Sequence, residues 1–211
     1  MADEIRDSQL AELEVGGQQA LAQLFSQYQN RLKQMVRFRL DQRLWGRVDP
    51  ADVLQESFIV TSRRLPDYLR DPAVPVFVWL RAMTAQALVD IHRRHLGVKM
   101  RNASLDVSMV SPGGQATSLS LAARLVADLT SPSQAAIRQE MIQSLRAAFD
   151  SMDPIDREVL ALRHFEELSN SEVAEILGLQ KSAASNRYLR ALKRLRTVMI
   201  KVSQAFVESG E

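Results

Sequence analysis

The sequence predicts an all-α protein made of two small helical domains joined by a flexible linker. Apolar residues recur at helical spacing in both halves, and long runs of alternating β-branched residues are absent. A polar stretch rich in Ser, Thr, Gly and Pro separates the halves. A length of 211 residues accommodates two such domains.

These signals divide the chain into five predicted segments. Residues 1–19 form an acidic N-terminal segment, in which a single base stands against five acids. The first domain, the linker, the second domain and a tail follow in this order: 20–101, 102–134, 135–203 and 204–211. Leucines in the later part of the linker allow a short docked helix within it.

Two helices open the first domain. The periodicity predicts a helix over residues 20–40. The next helix begins at Asp49-Pro50, because aspartate is a favoured N-cap and proline is favoured in the first turn. It is predicted to end near Arg64.

A loop and a third helix complete this domain. Three prolines predict a loop over residues 64–76. The third helix begins near Val76 and ends near Arg93-Arg94, with Gly97 as its expected C-cap.

Capping signals locate the helices of the second domain. A helix is predicted over residues 134–151, and Asp153-Pro154 begins the next one. Ser169–Glu172 form a capping box before a short helix that stops at Gly178. A longer helix follows over residues 182–202, so the order of short helix, glycine turn and long helix predicts a helix-turn-helix.

The long helix carries an unusual charge pattern. Residues 181–201 hold seven bases and no acid, although the net charge of the chain is only +2. Such a helix is a candidate surface for a polyanion, and an ordinary solvated face is the alternative. In a helix-turn-helix the N-terminal residues of the second helix lie near base edges in the major groove of DNA.

Candidate DNA contacts lie along this helix. Asn186 can donate and accept at an adenine edge, and Arg190 can bind guanine through two hydrogen bonds. Either Ala183 or Leu189 can touch a thymine methyl group. The other candidates are polar residues near the start of the helix and basic residues whose side chains suit phosphates: Ser182, Ser185, Lys181, Arg187, Lys193 and Arg194.

Three stretches carry motifs that occur together in one protein family. Residues 49–58 (DPADVLQESF) fit the pattern D-x-x-D-V-x-Q-E-x-F. Residues 77–94, with Phe77-Val78-Trp79-Leu80 followed by Asp90 and Arg93-Arg94, resemble the stretch F-x-x-W-L…D-x-x-R-R, with one residue fewer between the Phe and the Trp. Residues 168–191 supply a third motif around the helix-turn-helix. In this order they resemble regions 2 and 4 of bacterial RNA polymerase sigma factors. The missing region 3 points to the compact extracytoplasmic-function (ECF) class, although the segment 182–188 (SAASNRY) departs from the commoner G-T-V-K-S-R-L form.

The resemblance implies partners for both domains. Core RNA polymerase would be bound through the coiled coil of its β′ subunit and through its β subunit. The implied polymerase-binding residues share one helix: Asp49, Asp52, Gln55 and Glu56. Capping charge is the alternative, but it accounts only for the two aspartates. An anti-sigma factor is a further expected partner.

The resemblance also implies promoter binding at two elements. The second domain would bind the minus-thirty-five element. In the first domain, the loop 64–76 and the helix after it would capture a flipped base of the minus-ten element, without ATP. The candidate minus-ten residues are Trp79, Arg81, Gln86, Arg93 and Arg94. Trp79 also fits an ordinary core position, as does Phe77.

Other kinds of protein find less support in the residues. The absence of Cys excludes disulfides, thiolate metal sites and a cysteine nucleophile. No Gly-rich phosphate loop is present, and neither the carboxylates of residues 49–56 nor His92 and His95 have the further ligands of a metal site. We therefore expect no enzyme activity, no cofactor and no metal.

The expected location is the cytoplasm. The first residues lack the apolar core of a secretory signal, and no run of about 18 apolar residues predicts membrane insertion. Two alternatives to a sigma factor stay open: a helix-turn-helix regulator that binds duplex DNA as a dimer without polymerase, and an interaction protein of the anti-sigma type.

Overall fold

The computed structural model describes residues 2–96, 114–129 and 135–208. All regular elements in these ranges are helical, which confirms the expected all-α class. The chain divides into two compact units, Met1–Met109 and Val110–Glu211. No helix within the described ranges is long and apolar enough to cross a lipid bilayer.

As far as it is described, the first unit is a bundle of three helices. They are α1 (Ala2–Arg39), α2 (Pro50–Arg70) and α3 (Val76–Leu96), and each packs against the other two. A short 3-10 turn (Gln42–Leu44) lies between α1 and α2. All three helices contribute aliphatic side chains to the core, including Leu21, Leu24, Leu32, Val53, Leu54, Leu80, Leu88 and Ile91. The expected C-cap Gly97 lies outside the described residues.

The helix α1 begins much earlier than the sequence predicts. The acidic segment, as far as it is described, is helical from Ala2 and meets the predicted helix at a kink at Gly17. Gly17 has a φ of 51°, which glycine adopts readily because it has no Cβ atom. Gln9 Nε2 donates to the Tyr28 hydroxyl at 2.6 Å, and Leu13 is fully buried. The N-terminal part of α1 therefore packs within the first unit.

The predicted end of α2 near Arg64 is wrong, and so is the predicted extent of the loop. The helix continues through Pro66 to Arg70, and the loop covers only residues 71–75. A proline in a helix removes one hydrogen bond. Leu65 and Tyr68 are buried on either side of it, and the Tyr68 hydroxyl donates to the Val74 carbonyl at 2.7 Å. Packing therefore offsets the cost of the proline.

A buried pair of hydroxyl groups joins α2 to α3. Ser57 Oγ and Thr84 Oγ1 lie 2.9 Å apart, and both residues are fully buried. The Thr84 hydroxyl also lies within hydrogen-bonding distance of the Leu80 carbonyl at 2.9 Å. Small hydroxyl side chains at this crossing thus satisfy each other inside an otherwise apolar contact.

The described residues of the second unit form five helices and one π-helical turn. In chain order they are α4 (Gly114–Leu129), α5 (Ala135–Asp150), α6 (Pro154–Leu160), the π turn (Ala161–Phe165), α7 (Asn170–Leu177) and α8 (Lys181–Glu208). The helix α4 packs against α5 and α6, while α5, α6 and α7 pack against α8. Residues 114–129, which fall in the predicted linker, therefore form a docked helix within this unit. The domain boundaries themselves stay a prediction.

The predicted helix-turn-helix is confirmed, together with its caps. Asp153 caps α6 by accepting from the backbone N–H groups of Ile155 and Asp156. In the capping box of α7, the Glu172 N–H donates to Ser169 Oγ at 3.3 Å and the Ser169 N–H donates to Glu172 Oε2 at 2.7 Å. Gly178 ends α7 with a φ of 61°.

Replacing the N-cap of α7 is expected to destabilise the second unit. Ser169→Ala removes the acceptor of one helix N–H, which costs about 1 kcal/mol of the free energy of unfolding. Urea denaturation followed by circular dichroism measures the loss. Ser171→Ala, in the first turn of the same helix, is the matched control and should change stability much less. Equal losses for the two variants would contradict the assigned cap.

Candidate nucleic-acid interface

The four residues predicted to bind polymerase, Asp49, Asp52, Gln55 and Glu56, lie at the N-cap and along the N-terminal half of α2. Asp52 and Gln55 are exposed, and Glu56 is half-exposed. Asp49 is also exposed, but its Oδ1 accepts from the Ala51 N–H at 2.7 Å and caps the helix. The structure therefore brings the four residues onto adjoining positions of one helix, and it gives Asp49 a structural task in addition.

An ion pair connects this acidic set to α3. The Glu56 carboxylate accepts from the Arg94 guanidinium, and both side chains keep about half of their surface in solvent. Exposed ion pairs contribute about 0–1 kcal/mol to stability, so a stronger external partner can replace either side. The pair joins a residue predicted to bind polymerase to one predicted to bind DNA.

Two of the predicted minus-ten residues are buried. Trp79 is only 7% exposed and its ring stacks on Tyr68 with 4.1 Å between ring centroids and 7° between planes. Arg81 is 5% exposed. Their burial argues against direct contact with DNA, because a base or phosphate cannot reach either group in this structure. The cause is the packing of α3 against both α1 and α2, which covers more than one of its faces.

The other minus-ten candidates reach the surface of α3. Gln86 Nε2 donates to Asp90 Oδ1 at 3.3 Å, and Arg93 lies 3.7 Å from the same oxygen. Arg93 and Arg94 are exposed near the C-terminal end of the helix. A basic helix end thus remains accessible, with Asp90 as the nearest acidic neighbour of Arg93.

The start of α8 presents most of its predicted DNA contacts to solvent. Leu189 is 56% exposed, so its aliphatic side chain is accessible to a binding partner. The following predicted residues are also exposed: Lys181, Ser182, Ser185, Asn186, Arg190, Lys193 and Arg194. One stretch of helix therefore offers amide, hydroxyl, guanidinium and apolar groups together, which are the groups that distinguish base edges.

Arg187 differs from its neighbours, since its side chain is only 23% exposed. Its Nη1 donates to Asp153 Oδ1 at 3.1 Å and to Asp156 Oδ1 at 2.7 Å. Asp156 Oδ1 also lies 4.0 Å from Arg190 Nη2. The predicted phosphate contact of Arg187 is therefore not favoured by the structure, which instead shows Arg187 fastening α8 to the start of α6.

The π turn also contacts α8, and sequence reasoning did not find this contact. His164 Nε2 lies 3.0 Å from the Tyr188 hydroxyl, and Arg163 lies 5.1 Å above the Tyr188 ring. Arg163 Nη1 also donates to the Leu168 carbonyl at 2.7 Å. These contacts join the π turn to α8, whereas the two carboxylates join the start of α6 to it. The helical periodicity of the sequence does not reveal them.

The histidines considered as metal ligands have other surroundings. His92 Nε2 accepts from the Asp41 backbone N–H at 3.2 Å, which ties the chain after α1 to α3. Burial lowers the pKa of His92; the carboxylate of Asp41 opposes this effect and the charge of Arg43 adds to it. Within the described ranges, no three potential ligands of a metal ion come together.

A family model and several relatives match the chain. The model of "Sigma-70, region 4" matches residues 142–195, which include the helix-turn-helix. The ECF RNA polymerase sigma factor SigE of Mycolicibacterium smegmatis is 27% identical over 82% of this chain and 61% of its own length. The ECF RNA polymerase sigma factor SigW of Bacillus subtilis is 24% identical over 89% of this chain and 92% of its own length. This chain thus spans less than two thirds of SigE.

CnrH of Cupriavidus metallidurans matches in sequence and in fold. This RNA polymerase sigma factor is 26% identical over 94% of both chains. The structure of CnrH in complex with the cytosolic domain of CnrY has a TM-score of 0.51 and 22% identity, covering 93% of this chain and 97% of that chain. The likeness supports the helical fold.

Acidification is expected to destabilise the first unit through His92. Because the pKa of His92 is lowered on folding, the unfolded state binds this proton more readily; the stabilisation is present above the ordinary value of 6.5 and decreases as the pH falls below it. Urea denaturation at about pH 7 and about pH 5 measures it, and the two tryptophans, Trp45 and Trp79, report on this unit alone.

The variant His92→Gln should show a smaller loss of stability between the two pH values. His164→Gln is the matched control: burial also lowers the pKa of His164, but this residue lies in the second unit. An unchanged pH dependence in His92→Gln would contradict the assignment.

Proposed function

We propose a division of labour between the two halves of this chain, which belongs to the extracytoplasmic-function class of RNA polymerase sigma factors. The first unit binds core RNA polymerase and opens the promoter at the minus-ten element. The second unit binds the duplex of the minus-thirty-five element. The observation that carries the proposal is the exposed, acid-free basic start of α8 within a region 4 helix-turn-helix.

Recognition of the minus-thirty-five element rests on side chains that reach base edges from α8. Asn186 can pair with an adenine edge and Arg190 with the O6 and N7 atoms of guanine. Leu189 fits a thymine methyl group. Lys193 and Arg194 lie one turn further along and suit phosphates, which position the helix without reading sequence.

Arg187 and Asp156 act in this proposal as positioning residues. The buried carboxylate of Asp156 holds Arg187 at 2.7 Å and lies 4.0 Å from Arg190. Two guanidinium groups around one carboxylate fix the rotation of α8 relative to α6. The same negative charge limits unspecific attraction of Arg190 to phosphates, which favours base reading.

Docking on polymerase uses the exposed face of α2. Asp52, Gln55 and Glu56 provide negative and amide groups that complement a basic partner such as the β′ coiled coil. Ile59, one turn further along, is 47% exposed and supplies an apolar contact beside these groups. A buried apolar contact with a polar rim is the usual composition of a stable interface.

Opening of the minus-ten element uses the end of α3 and the loop before it. Arg93 and Arg94 hold phosphates of the separated strand, and Gln86 reads a flipped base. Binding of the single strand offsets the unpairing energy, which is a few kcal/mol for each flipped base. Trp79 serves this site indirectly, since its stack on Tyr68 supports the loop at residues 71–75.

An anti-sigma protein is a further proposed partner. The relative CnrH forms a complex with the cytosolic domain of CnrY. A similar inhibitor of this chain would cover the polymerase-binding face of α2 or the DNA-binding start of α8. The alternative of a dimeric helix-turn-helix regulator is less well supported, because relatives named ECF sigma factors match both halves of the chain.

Run-off transcription with purified core polymerase over a promoter library tests the function. A sigma factor directs transcription from a subset of promoters that share two elements. Specific duplex binding by a dimer of the chain alone, with no transcription from any promoter, would establish the regulator instead.

Removal of a carboxylate from α2 is expected to weaken polymerase binding. Asp52→Ala deletes an exposed charge that complements the basic partner, and affinity for core polymerase should fall about tenfold. A titration of labelled chain with core polymerase measures the change. Asp67→Ala, an exposed aspartate further along the same helix, is the control and should bind normally. Equal affinity of both variants would exclude this face.

Alanine substitutions of two arginines of α8 are expected to weaken DNA binding in different ways. Arg190→Ala should lose about 1–3 kcal/mol of discrimination at one base pair of the minus-thirty-five element. Arg194→Ala should weaken binding to all sequences alike and lower the salt slope by about one. Holoenzyme binding to single-base promoter variants at several salt concentrations separates the two. A uniform loss in Arg190→Ala would contradict its role in base reading.

A further inference from the structure

An exposed tryptophan in the first unit has no place in the function proposed so far. Of the two tryptophans in the chain, Trp79 is buried, whereas Trp45 is 56% exposed. Tryptophan is enriched among the residues that contribute most to the binding energy of interfaces. Trp45 lies between α1 and α2, outside every motif that the sequence analysis used.

The turn around Trp45 holds the indole ring in a defined orientation. Its Nε1 donates to the Leu40 carbonyl at 3.2 Å. Leu44, the residue before it, is almost fully buried, and Gly46, the residue after it, has a φ of 76°. The hydrogen-bonding edge of the ring is therefore occupied, and the exposed part offers a surface for stacking.

The sequence around this turn is basic. Residues 37–47 contain four arginines and one aspartate. Arg37 and Arg47 are exposed; Arg43 is exposed too, although it pairs with Asp41 at 2.8 Å. Exposed aromatic rings and basic side chains are the groups by which proteins bind single-stranded nucleic acid, with bases stacked on rings and phosphates held by cations.

The turn is also joined to the proposed minus-ten surface. The Asp41 N–H donates to His92 Nε2 at 3.2 Å, and His92 directly precedes Arg93 and Arg94 on α3. The basic turn and the basic end of α3 are therefore neighbours within the same unit. A strand held by the two arginines of α3 has a second basic surface beside it.

We propose that Trp45 stacks on a base of the opened promoter strand and that Arg47 holds an adjacent phosphate. The inference rests on the proposed function and extends its minus-ten surface to the turn between α1 and α2. A protein partner is the competing occupant. Charge favours the nucleic acid, because the arginines of residues 37–47 outnumber the one carboxylate in that segment.

The main experiment measures open complexes formed by holoenzyme on a promoter taken from the run-off selection. Trp45→Ala should shorten their lifetime about tenfold on a duplex promoter and weaken binding of a pre-melted one. Trp45→Phe should retain part of the lifetime of the wild-type open complex, because phenylalanine keeps an aromatic ring that can stack. Val15→Ala, which trims an exposed apolar side chain elsewhere in the first unit, is the control. Affinity for core polymerase without DNA should stay unchanged in all three variants.

A second measurement uses the full chain without polymerase. Oligothymidylate should quench the fluorescence of Trp45, whereas the buried Trp79 stays unaffected. The variant Trp45→Phe removes this signal, and Arg47→Ala should weaken the binding and reduce its salt dependence.

The outcomes separate the inference from the proposed function. Open complexes of normal lifetime with Trp45→Ala would overturn the inference, as would an equal loss of core polymerase affinity, which would make Trp45 a polymerase contact. If the wild-type chain opens no promoter at all, the proposed function fails. The oligothymidylate titration then decides the inference alone, and absence of quenching would overturn it.

Discussion

The proposed recognition of DNA bases depends on the hydrogen bonds that Arg187 donates to the carboxylates of Asp153 and Asp156. Asp153 caps α6 and Asp156 is buried behind α8, and both accept from the same guanidinium group. A recognition helix reads bases only if its rotation is fixed, because a small rotation moves every side chain to another base edge. The acidic charge that balances α8 therefore lies behind the helix, and its outer surface stays basic.

In the first unit, two proposed binding surfaces share one small helical bundle. Its core takes up residues such as Trp79 and Arg81, and the groups left outside are acidic on α2 and basic at the end of α3. The ion pair between Glu56 and Arg94 bridges the two surfaces. In the free chain Glu56 and Arg94 thus neutralise each other, and in the proposed function polymerase or DNA replaces this exposed pair.

Sequence predicted the features whose partners lie nearby in the chain. The capping box at Ser169 and the turn at Gly178 depend on contacts within a few residues, so local patterns reveal them. The helical path through Pro66 depends on buried neighbours, and the burial of Trp79 depends on helices far away in sequence. Likewise, the carboxylate partners of Arg187 lie 31 and 34 positions before it. Such long-range contacts leave no period in a single sequence.

The hydroxyl pair between α2 and α3 has a mechanical consequence. If the helices slid by one turn, Ser57 would lose the Thr84 hydroxyl as its partner, at a cost of about 1–3 kcal/mol if its own hydroxyl is left unsatisfied. Leucines in the same crossing would tolerate such slippage far better. The hydroxyl pair therefore favours a single alignment of α2 against α3. A load applied to α2 by a large docked partner would reach α3 as rigid movement rather than being lost in sliding.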